Sequence, residues 1–172
     1  LLTGPLFAVL YSAAAWPIAW MADRWNRVHI LGVCAVGWSA LTGAAAFAGN
    51  FAQLAAARMT MSIAEAGCNP CSQSLIGDYV PPERRASALG TYAMGIPLGL
   101  AAAGFIGGPL ADAFGWRNTF LIMGGASMVV AVLILFALPE PPRRAVVRAP
   151  GDTSEQSFRA LLRKPTFQHQ ML

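Results

Sequence analysis

Five long apolar runs dominate the sequence, and each is long enough to form a transmembrane helix. A helix needs about 20 predominantly apolar residues to cross roughly 30 Å of hydrocarbon. The composition agrees, because 56% of the 172 residues are hydrophobic and only 12% are charged, whereas about 25% are charged in typical soluble domains. The sequence therefore predicts an all-α membrane protein. The five predicted spans are 3–22, 30–50, 54–77, 87–110 and 118–138.

The basic residues lie in short clusters between these runs. The net charge is +4, but no basic face is interleaved with aromatic side chains, so nucleic acid is not an expected partner. The joints 23–29 and 77–86 hold two arginines each, and the tail from residue 139 is rich in Lys and Arg. Because basic loops stay in the cytoplasm, we expect these segments inside the cell and the joints 50–53 and 111–118 outside. Residues 1–138 then form an N-terminal transmembrane bundle and residues 139–172 a cytoplasmic loop.

The chain begins without an initiator methionine, and its first apolar run is followed, not preceded, by Arg24 and Arg27. A secretory signal peptide has the opposite order of charge and apolar core. We therefore expect a fragment of a multi-pass membrane protein, located in the bacterial inner membrane.

Polar residues form a stripe on the third predicted span. At about 100° per residue, their directions fall within roughly 40° of one another. Glu65 lies about 16 Å along the helix axis from Leu54, near the middle of a bilayer. Ionisable groups at that depth usually face a bundle interior or a water-filled passage, so Glu65 is a candidate carrier of a proton or a binding residue. The alternative is a structural ion pair between Glu65 and Arg58. The stripe consists of Arg58, Ser62, Glu65, Asn69 and Ser72.

Cys68 and Cys71 form a Cys-x-x-Cys pair in the same span. A redox dithiol usually lies at an accessible helix start, and a zinc site would need two further ligands, for which only His29 and His169 are available. We therefore predict that both cysteines pack against neighbouring helices and that no metal is bound. Pro70, between them, should interrupt the helix beside Asn69.

Small residues are dense in the fourth predicted span. Gly95 and Gly99 flank Pro97, and Gly104 and Gly108 repeat the same spacing. This spacing is typical of close helix packing in lipid, and the proline should bend the helix. The alternative is a mobile helix that moves during a transport cycle.

The stretch "AWMADRWNRVHIL" (19–31) resembles the loop between the second and third helices of the major facilitator superfamily, Gly-x-x-x-Asp-Arg-x-Gly-Arg-Arg. Asp23, Arg24 and Arg27 match that pattern, whereas Ala19 and Asn26 replace its glycines. "RMTMSIAEAG" (58–67) resembles the fourth helix of the Spinster-like branch. "FGWRNTFLIMG" (114–124) and "LPEPPR" (138–143) resemble the segments before and after the sixth helix.

The resemblance implies helices two to six and the central loop of a twelve-helix secondary transporter that works by alternating access. The first helix and the C-terminal bundle, with which these helices would pack, would then lie outside this sequence. In such transporters the loop residues close the cytoplasmic side, and the second arginine of the loop pairs with an acidic residue at the end of the fourth helix. The resemblance therefore assigns gating to Asp23, Arg24, Arg27 and Asp78 and pairs Arg27 with Asp78. The implied substrate is lipid-like or an organic anion, with possible proton coupling; no cofactor and no enzymatic activity are implied.

Two other functions remain open from the sequence. The first is a proton-coupled drug efflux antiporter, whose fifth helix carries Gly-x8-Gly-x3-Gly-Pro-x2-Gly-Gly. The glycines at positions 90, 99, 107 and 108 fit this pattern, but Ala103 and Gly104 replace its Gly-Pro pair. The second is a membrane dithiol oxidoreductase, which would depend on Cys68 and Cys71 alone.

The arginine distribution generates a test of topology. In a variant without native cysteines, a cysteine introduced at position 26 should react with a membrane-impermeant maleimide only from the cytoplasm. A cysteine at position 51 should react only from outside, because its joint has no basic residue. The reverse labelling pattern would contradict the predicted orientation.

Overall fold

The computed structural model describes residues 4–142, and this part of the chain is almost entirely helical. Helix α1 spans Pro5–Arg24 and α2 spans Arg27–Ala44, followed by a 3-10 turn at Ala45–Phe47. The next helices are α3 (Phe51–Ala66), α4 (Cys68–Tyr79), α5 (Arg85–Ala93), α6 (Gly95–Ala102) and α7 (Gly108–Ala137). A 3-10 turn at Pro82–Arg84 precedes α5, and a π-helical segment at Ala103–Gly107 precedes α7. Most of the predicted loop 139–172 lies outside the described residues.

Asparagine side chains begin two of these helices inside the predicted joints. The Asn26 side chain accepts a hydrogen bond from the backbone N–H of His29 at 2.7 Å, and Asn50 accepts one from Gln53 at 2.9 Å. Each caps a backbone donor that the first helical turn leaves without an intrahelical partner. The joints at 23–29 and 50–53 therefore have a local cause in the sequence.

The span predicted at 54–77 is divided into α3 and α4 at Gly67. Pro70, three residues later, cannot donate a hydrogen bond to the carbonyl of Ala66, and its ring crowds that carbonyl. The helical pattern resumes at once, since the N–H of Cys71 lies 3.5 Å from the carbonyl oxygen of Gly67. The span predicted at 54–77 is therefore interrupted, as the proline predicts, with the break at Gly67 rather than beside Asn69.

The span predicted at 87–110 is interrupted in the same way. Met94 separates α5 from α6 three residues before Pro97, and the π-helical segment at Ala103–Gly107 ends just before Pro109. A proline cannot complete the preceding helical turn, so each interruption lies about one turn before it.

Gly115 produces the largest deviation from helical geometry in α7. Its φ of 78° and ψ of 156° lie outside the helical region, in a conformation that glycine adopts without steric cost. Gly115 lies inside the predicted joint 111–118. Where the sequence predicted a joint between two spans, α7 therefore has a kink.

Helix α2 is the centre of the packing. It contacts α7 most extensively, then α3 and α4. The buried core includes Val28 and Leu31 of α2 with Cys71 and Leu75 of α4, and Ile134 of α7 packs against them. Because α2 contacts α1 as well as α3, α4 and α7, it holds the ends of α4 and α7 close together.

The glycines that bring helices close together are not those predicted from the sequence. A Cβ atom built on Gly95, Gly99, Gly104 or Gly108 meets nothing within 4 Å among the described residues. Gly124 instead lies against α2, where a Cβ would be 2.6 Å from the backbone nitrogen of Gly43. The expected packing patches on α6 and the π-helical segment are therefore exposed here, because α5 and α6 contact little besides their neighbours in sequence.

Two helical stretches within residues 4–142 are long and apolar enough to cross a membrane. They are Arg27–Phe47, with a mean hydropathy of 1.7, and Pro82–Ala137, with a mean hydropathy of 2.6. The 16 residues of α3 and the 12 residues of α4 are each too short to pass this test alone, as expected from the break at Gly67. The number of spans and their orientation stay predictions.

The contact between α2 and α7 generates a test of packing. Gly124→Ala should destabilise the protein by about 1–3 kcal/mol, because the added methyl group meets rigid backbone. Gly125→Ala is the matched control: a Cβ there meets nothing within 4 Å, and alanine favours a helix by up to about 1 kcal/mol over glycine. Denaturant unfolding of the purified protein in micelles measures both. Equal stability of the two variants would contradict the close approach.

Candidate functional site

Arg27, at the start of α2, is the centre of a buried ion cluster. It is only 5% exposed. Its Nη1 atom donates to Oδ2 of Asp78 at 2.5 Å and to the hydroxyl of Ser74 at 2.9 Å, and its Nε atom donates to Oε1 of Glu140 at 2.9 Å. One guanidinium thus joins the start of α2, the end of α4 and the segment after α7.

Glu140 attaches the segment after α7 to two further groups. Its Oε2 atom accepts a hydrogen bond from the backbone N–H of Val28 at 2.9 Å, in the first turn of α2, where a helix has unpaired donors and favours a negative charge. The Arg27 side chain also reaches the carbonyl oxygen of Pro141 at 3.4 Å, and the hydroxyl of Tyr79 donates to the carbonyl of Pro139. The chain is therefore held at residues 139–141 by both α2 and α4.

Arg27 and Asp78 are the pair that the resemblance implied, and the structure brings them together. Glu140 is not among the residues that the sequence pattern singled out. The sequence feature that could have indicated Glu140 is its position as an acidic residue just after the last apolar run, in the segment "LPEPPR". Asp23 and Arg24, assigned to the same motif, are exposed, and the Arg24 guanidinium lies 3.8 Å from the ring centre of Trp20.

The cluster is well protected from water. The side chains of Arg27, Asp78 and Glu140 are 6%, 15% and 22% exposed. Exposed ion pairs contribute about 0–1 kcal/mol, whereas removing one partner of a buried pair costs about 3–5 kcal/mol because it leaves an unpaired charge. Arg27 is shared by two carboxylates, so its removal leaves both without their cation.

A cavity of about 270 Å³ lies beside the break between α3 and α4. Glu65, near the end of α3, and Asn69, in the first turn of α4, both line it, as does Tyr92 of α5. The Tyr92 hydroxyl donates to Oδ1 of Asn69 at 3.0 Å. The interruption at Gly67 therefore places a carboxylate and a fixed amide at one wall of the same cavity.

The other members of the predicted polar stripe lie elsewhere. Arg58 lines a separate cavity of about 310 Å³ with Leu54 and Phe120, and its Nη1 atom is 3.2 Å from the sulfur of Met61. Ser62 is fully buried and donates to the carbonyl of Met59 at 2.6 Å. Among the described residues the stripe thus does not line one surface: Ser62 is covered, and Arg58 and Ser72 line two other cavities. Within residues 4–142, Arg58 and Glu65 do not form an ion pair.

The cysteines occupy packing positions. Cys71 is fully buried among Ala22, Val28, Leu31 and Leu75, and Cys68 is partly buried against this core. Cys34, Cys68 and Cys71 are all unpaired thiols. Within the described ranges, no three side chains of His, Cys, Asp or Glu are grouped so that they would hold a metal ion.

The ion cluster generates a test of its energy. Arg27→Gln should lower the free energy of unfolding by about 3 kcal/mol, because two partly buried carboxylates lose their buried cation. Asp78→Asn and Glu140→Gln should each cost less, since Arg27 keeps one carboxylate. Arg24→Gln is the matched control, because it removes an exposed arginine stacked on Trp20 and should cost no more than about 1 kcal/mol. Unfolding in micelles measures the series, and equal losses for Arg27 and Arg24 would show that the cluster is energetically unimportant.

Comparison with known proteins places these features in a family. Residues 1–171 match the Major Facilitator Superfamily. An MFS-type efflux pump of Mycolicibacterium smegmatis is 32% identical over 163 residues, covering 94% of this chain and 38% of that protein. A hexuronate transporter of Bacillus subtilis is 32% identical over 136 residues, covering 79% of this chain and 32% of that protein.

A solved structure shows the same fold. It is the crystal structure of a bacterial homologue of the human lysosomal transporter Spinster, in an inward-facing and occupied conformation. That protein is 37% identical, with a TM-score of 0.70, over 83% of this chain and 36% of its own chain. The chain thus spans less than half the length of each of these relatives. It belongs to the Major Facilitator Superfamily, a family of membrane transporters rather than enzymes, and within it resembles the Spinster-like transporters.

Proposed function

We propose that the protein is a secondary active transporter that works by alternating access, with its solute pathway beside Glu65. The observation that carries the proposal is the cavity at the break between α3 and α4. A carboxylate and an amide line it, in a bundle whose other polar groups are mostly paired within the protein. Polar groups that are costly to place in a membrane and that face a cavity indicate a solute or ion pathway.

The Arg27 cluster supplies a candidate gate at one end of the bundle. It connects α2, α4 and the segment after α7 through one guanidinium. Such a cluster has two discrete arrangements, closed or open, and a solute that favours one arrangement shifts the population toward it. By the predicted topology this gate lies on the cytoplasmic side, in the bacterial inner membrane.

The substrate class is lipid-like or an organic anion on the resemblance to Spinster-like proteins. A hexuronate transporter among the relatives supports an organic acid. Proton-coupled drug efflux is the second candidate, because an efflux pump is 32% identical over 94% of this chain. Both functions use the same pathway and gate and differ in the direction of transport. The dithiol oxidoreductase is disfavoured, because Cys71 is completely buried in the core.

The role of Glu65 is tested by Glu65→Gln in the full-length protein in proteoliposomes. If Glu65 couples protons, the variant should still bind solute but should lose the pH dependence of transport. The other titratable groups that line the cavity are Tyr11, Tyr92 and Cys68, so Glu65 carries the one carboxyl group among the described lining residues. Unchanged pH dependence in Glu65→Gln would remove Glu65 from the coupling mechanism.

The matched variant is Cys68→Ser combined with Cys71→Ser. It should transport at close to the rate of the unaltered protein, because the two thiols serve packing. Loss of transport in a double serine variant that folds normally would revive the dithiol function.

A further inference from the structure

The chain just after α7 is rich in proline and can donate few backbone hydrogen bonds. Residues 139, 141 and 142 are prolines, and a proline has no backbone N–H to donate. The bond that closes α7 runs from the N–H of Leu138 to the carbonyl oxygen of Ile134, at 3.2 Å. The position of residues 139–141 therefore depends on contacts that other helices make with their carbonyl oxygens and with the Glu140 side chain.

Tyr79, the last residue of α4, makes one of these contacts. Its hydroxyl donates to the carbonyl oxygen of Pro139, while the preceding residue, Asp78, accepts from Arg27. Two neighbouring residues at the end of α4 thus hold two different parts of the ion cluster. The Asp78 side chain is 15% exposed and Tyr79 is 44% exposed, so the Tyr79 contact lies on the side of the cluster nearer to solvent.

The Tyr79 hydroxyl acts on the direction of the Glu140 side chain through one peptide group. The carbonyl of Pro139 and the N–H of Glu140 belong to the same planar unit, so a bond to that carbonyl fixes the plane from which Glu140 starts. Pro141 disfavours the helical region for the residue before it, which restricts Glu140 to extended backbone. Few conformations then remain for Glu140, and in the observed one its carboxylate reaches the Arg27 guanidinium and the first turn of α2.

We infer that Tyr79 is a positioning residue of the proposed gate: its hydroxyl orients the peptide between Pro139 and Glu140 so that Glu140 closes on Arg27. The inference rests on the proposed function, in which the ion cluster has a closed and an open arrangement. Tyr79 acts on Arg27 through Glu140. Without the hydroxyl, Glu140 keeps its charge but loses its orientation, and the closed arrangement becomes less populated.

The backbone N–H of Val28 reports whether Glu140 is in place. It donates to Oε2 of Glu140 at 2.9 Å, and it lies in the first turn of α2, where the helix itself offers it no partner. Hydrogen exchange at this amide therefore follows the fraction of time in which Glu140 has left. The measurement uses the purified full-length protein in micelles, with exchange resolved to single residues by fragmentation mass spectrometry.

Tyr79→Phe keeps the ring and removes the hydroxyl. It should speed exchange of the Val28 amide about twofold to tenfold, which is the effect of losing one typical hydrogen bond. Tyr92→Phe is the matched control, because Tyr92 is also a partly exposed tyrosine whose hydroxyl bonds to α4, at Asn69; it should leave exchange at Val28 unchanged. No acceleration in Tyr79→Phe, or equal acceleration in the two phenylalanine variants, would overturn the inference.

A double-mutant cycle tests whether Tyr79 acts through Glu140. Glu140→Ala removes the acceptor of the Val28 amide and should speed its exchange at least as much as Tyr79→Phe does. With that acceptor gone, the Tyr79 hydroxyl has no carboxylate to position, so adding Tyr79→Phe to Glu140→Ala should change exchange by less than about twofold. Full additivity of the two changes would contradict the positioning role.

Labelling from the cytoplasmic side tests whether this positioning matters to the gate. Gln73 lines an open cavity of about 570 Å³ next to α1, so Gln73→Cys, in a variant without native cysteines, should react faster with an impermeant maleimide when the cytoplasmic side opens. In inside-out membrane vesicles, Tyr79→Phe should raise that labelling rate about twofold to tenfold. An unchanged rate together with faster Val28 exchange would show that Tyr79 positions Glu140 but plays no part in a gate, and the inference would be wrong.

These readouts separate the inference from the proposed function. Exchange at Val28 and labelling at position 73 need no solute, so they report on Tyr79 whether or not Glu65→Gln alters transport. If both respond as expected and Glu65 has no effect on transport, the gate stands and the proposed solute pathway is wrong. Exchange at Gly43, where α2 meets α7, is the control for global unfolding and should not change in Tyr79→Phe.

Discussion

Arg27 and its two carboxylates hold together the end of the molecule at which several helices meet. A buried guanidinium is stable only when its charge and its N–H donors are satisfied, and here Asp78, Glu140 and Ser74 do so. These partners come from positions 47 to 113 residues distant along the chain. The pairing therefore fixes the relative positions of α2, α4 and the chain after α7, and the core around Val28, Cys71 and Ile134 lies beside it.

If this cluster opens, as the proposed gate requires, water or a second set of charges must replace its contacts. The apolar contact of α2 with α7 does not depend on that exchange, since Gly124 brings the two backbones together. The bundle thus has a close-packed part, α2 with α7, and an ionic part at its end.

Prolines shape the cavity beside Glu65, which is the proposed solute pathway. Pro70 and Pro97 each interrupt a helix about one turn earlier, at Gly67 and Met94. The two interruptions border the cavity, where Glu65 and Asn69 stand on either side of the first and Tyr92 precedes the second. Broken helices are tolerated in membranes where they line a cavity or are buried in protein.

The sequence by itself determined the helical class and the breaks at Asn26 and Asn50, whereas the Arg27–Asp78 pair came from the resemblance. Apolar run length, asparagine caps and the loop motif are local properties, and each acts within a few residues. The sequence also indicated Glu65 and Asn69, because placing a polar side chain inside a long apolar run costs free energy in a membrane. Only the tertiary structure decided that Glu140 joins Arg27, that Arg58 and Ser62 leave the shared face, and that Gly124 rather than Gly95 or Gly104 makes the close contact. These outcomes depend on which helices become neighbours, and helical periodicity gives the direction of a side chain but not the element that lies in that direction.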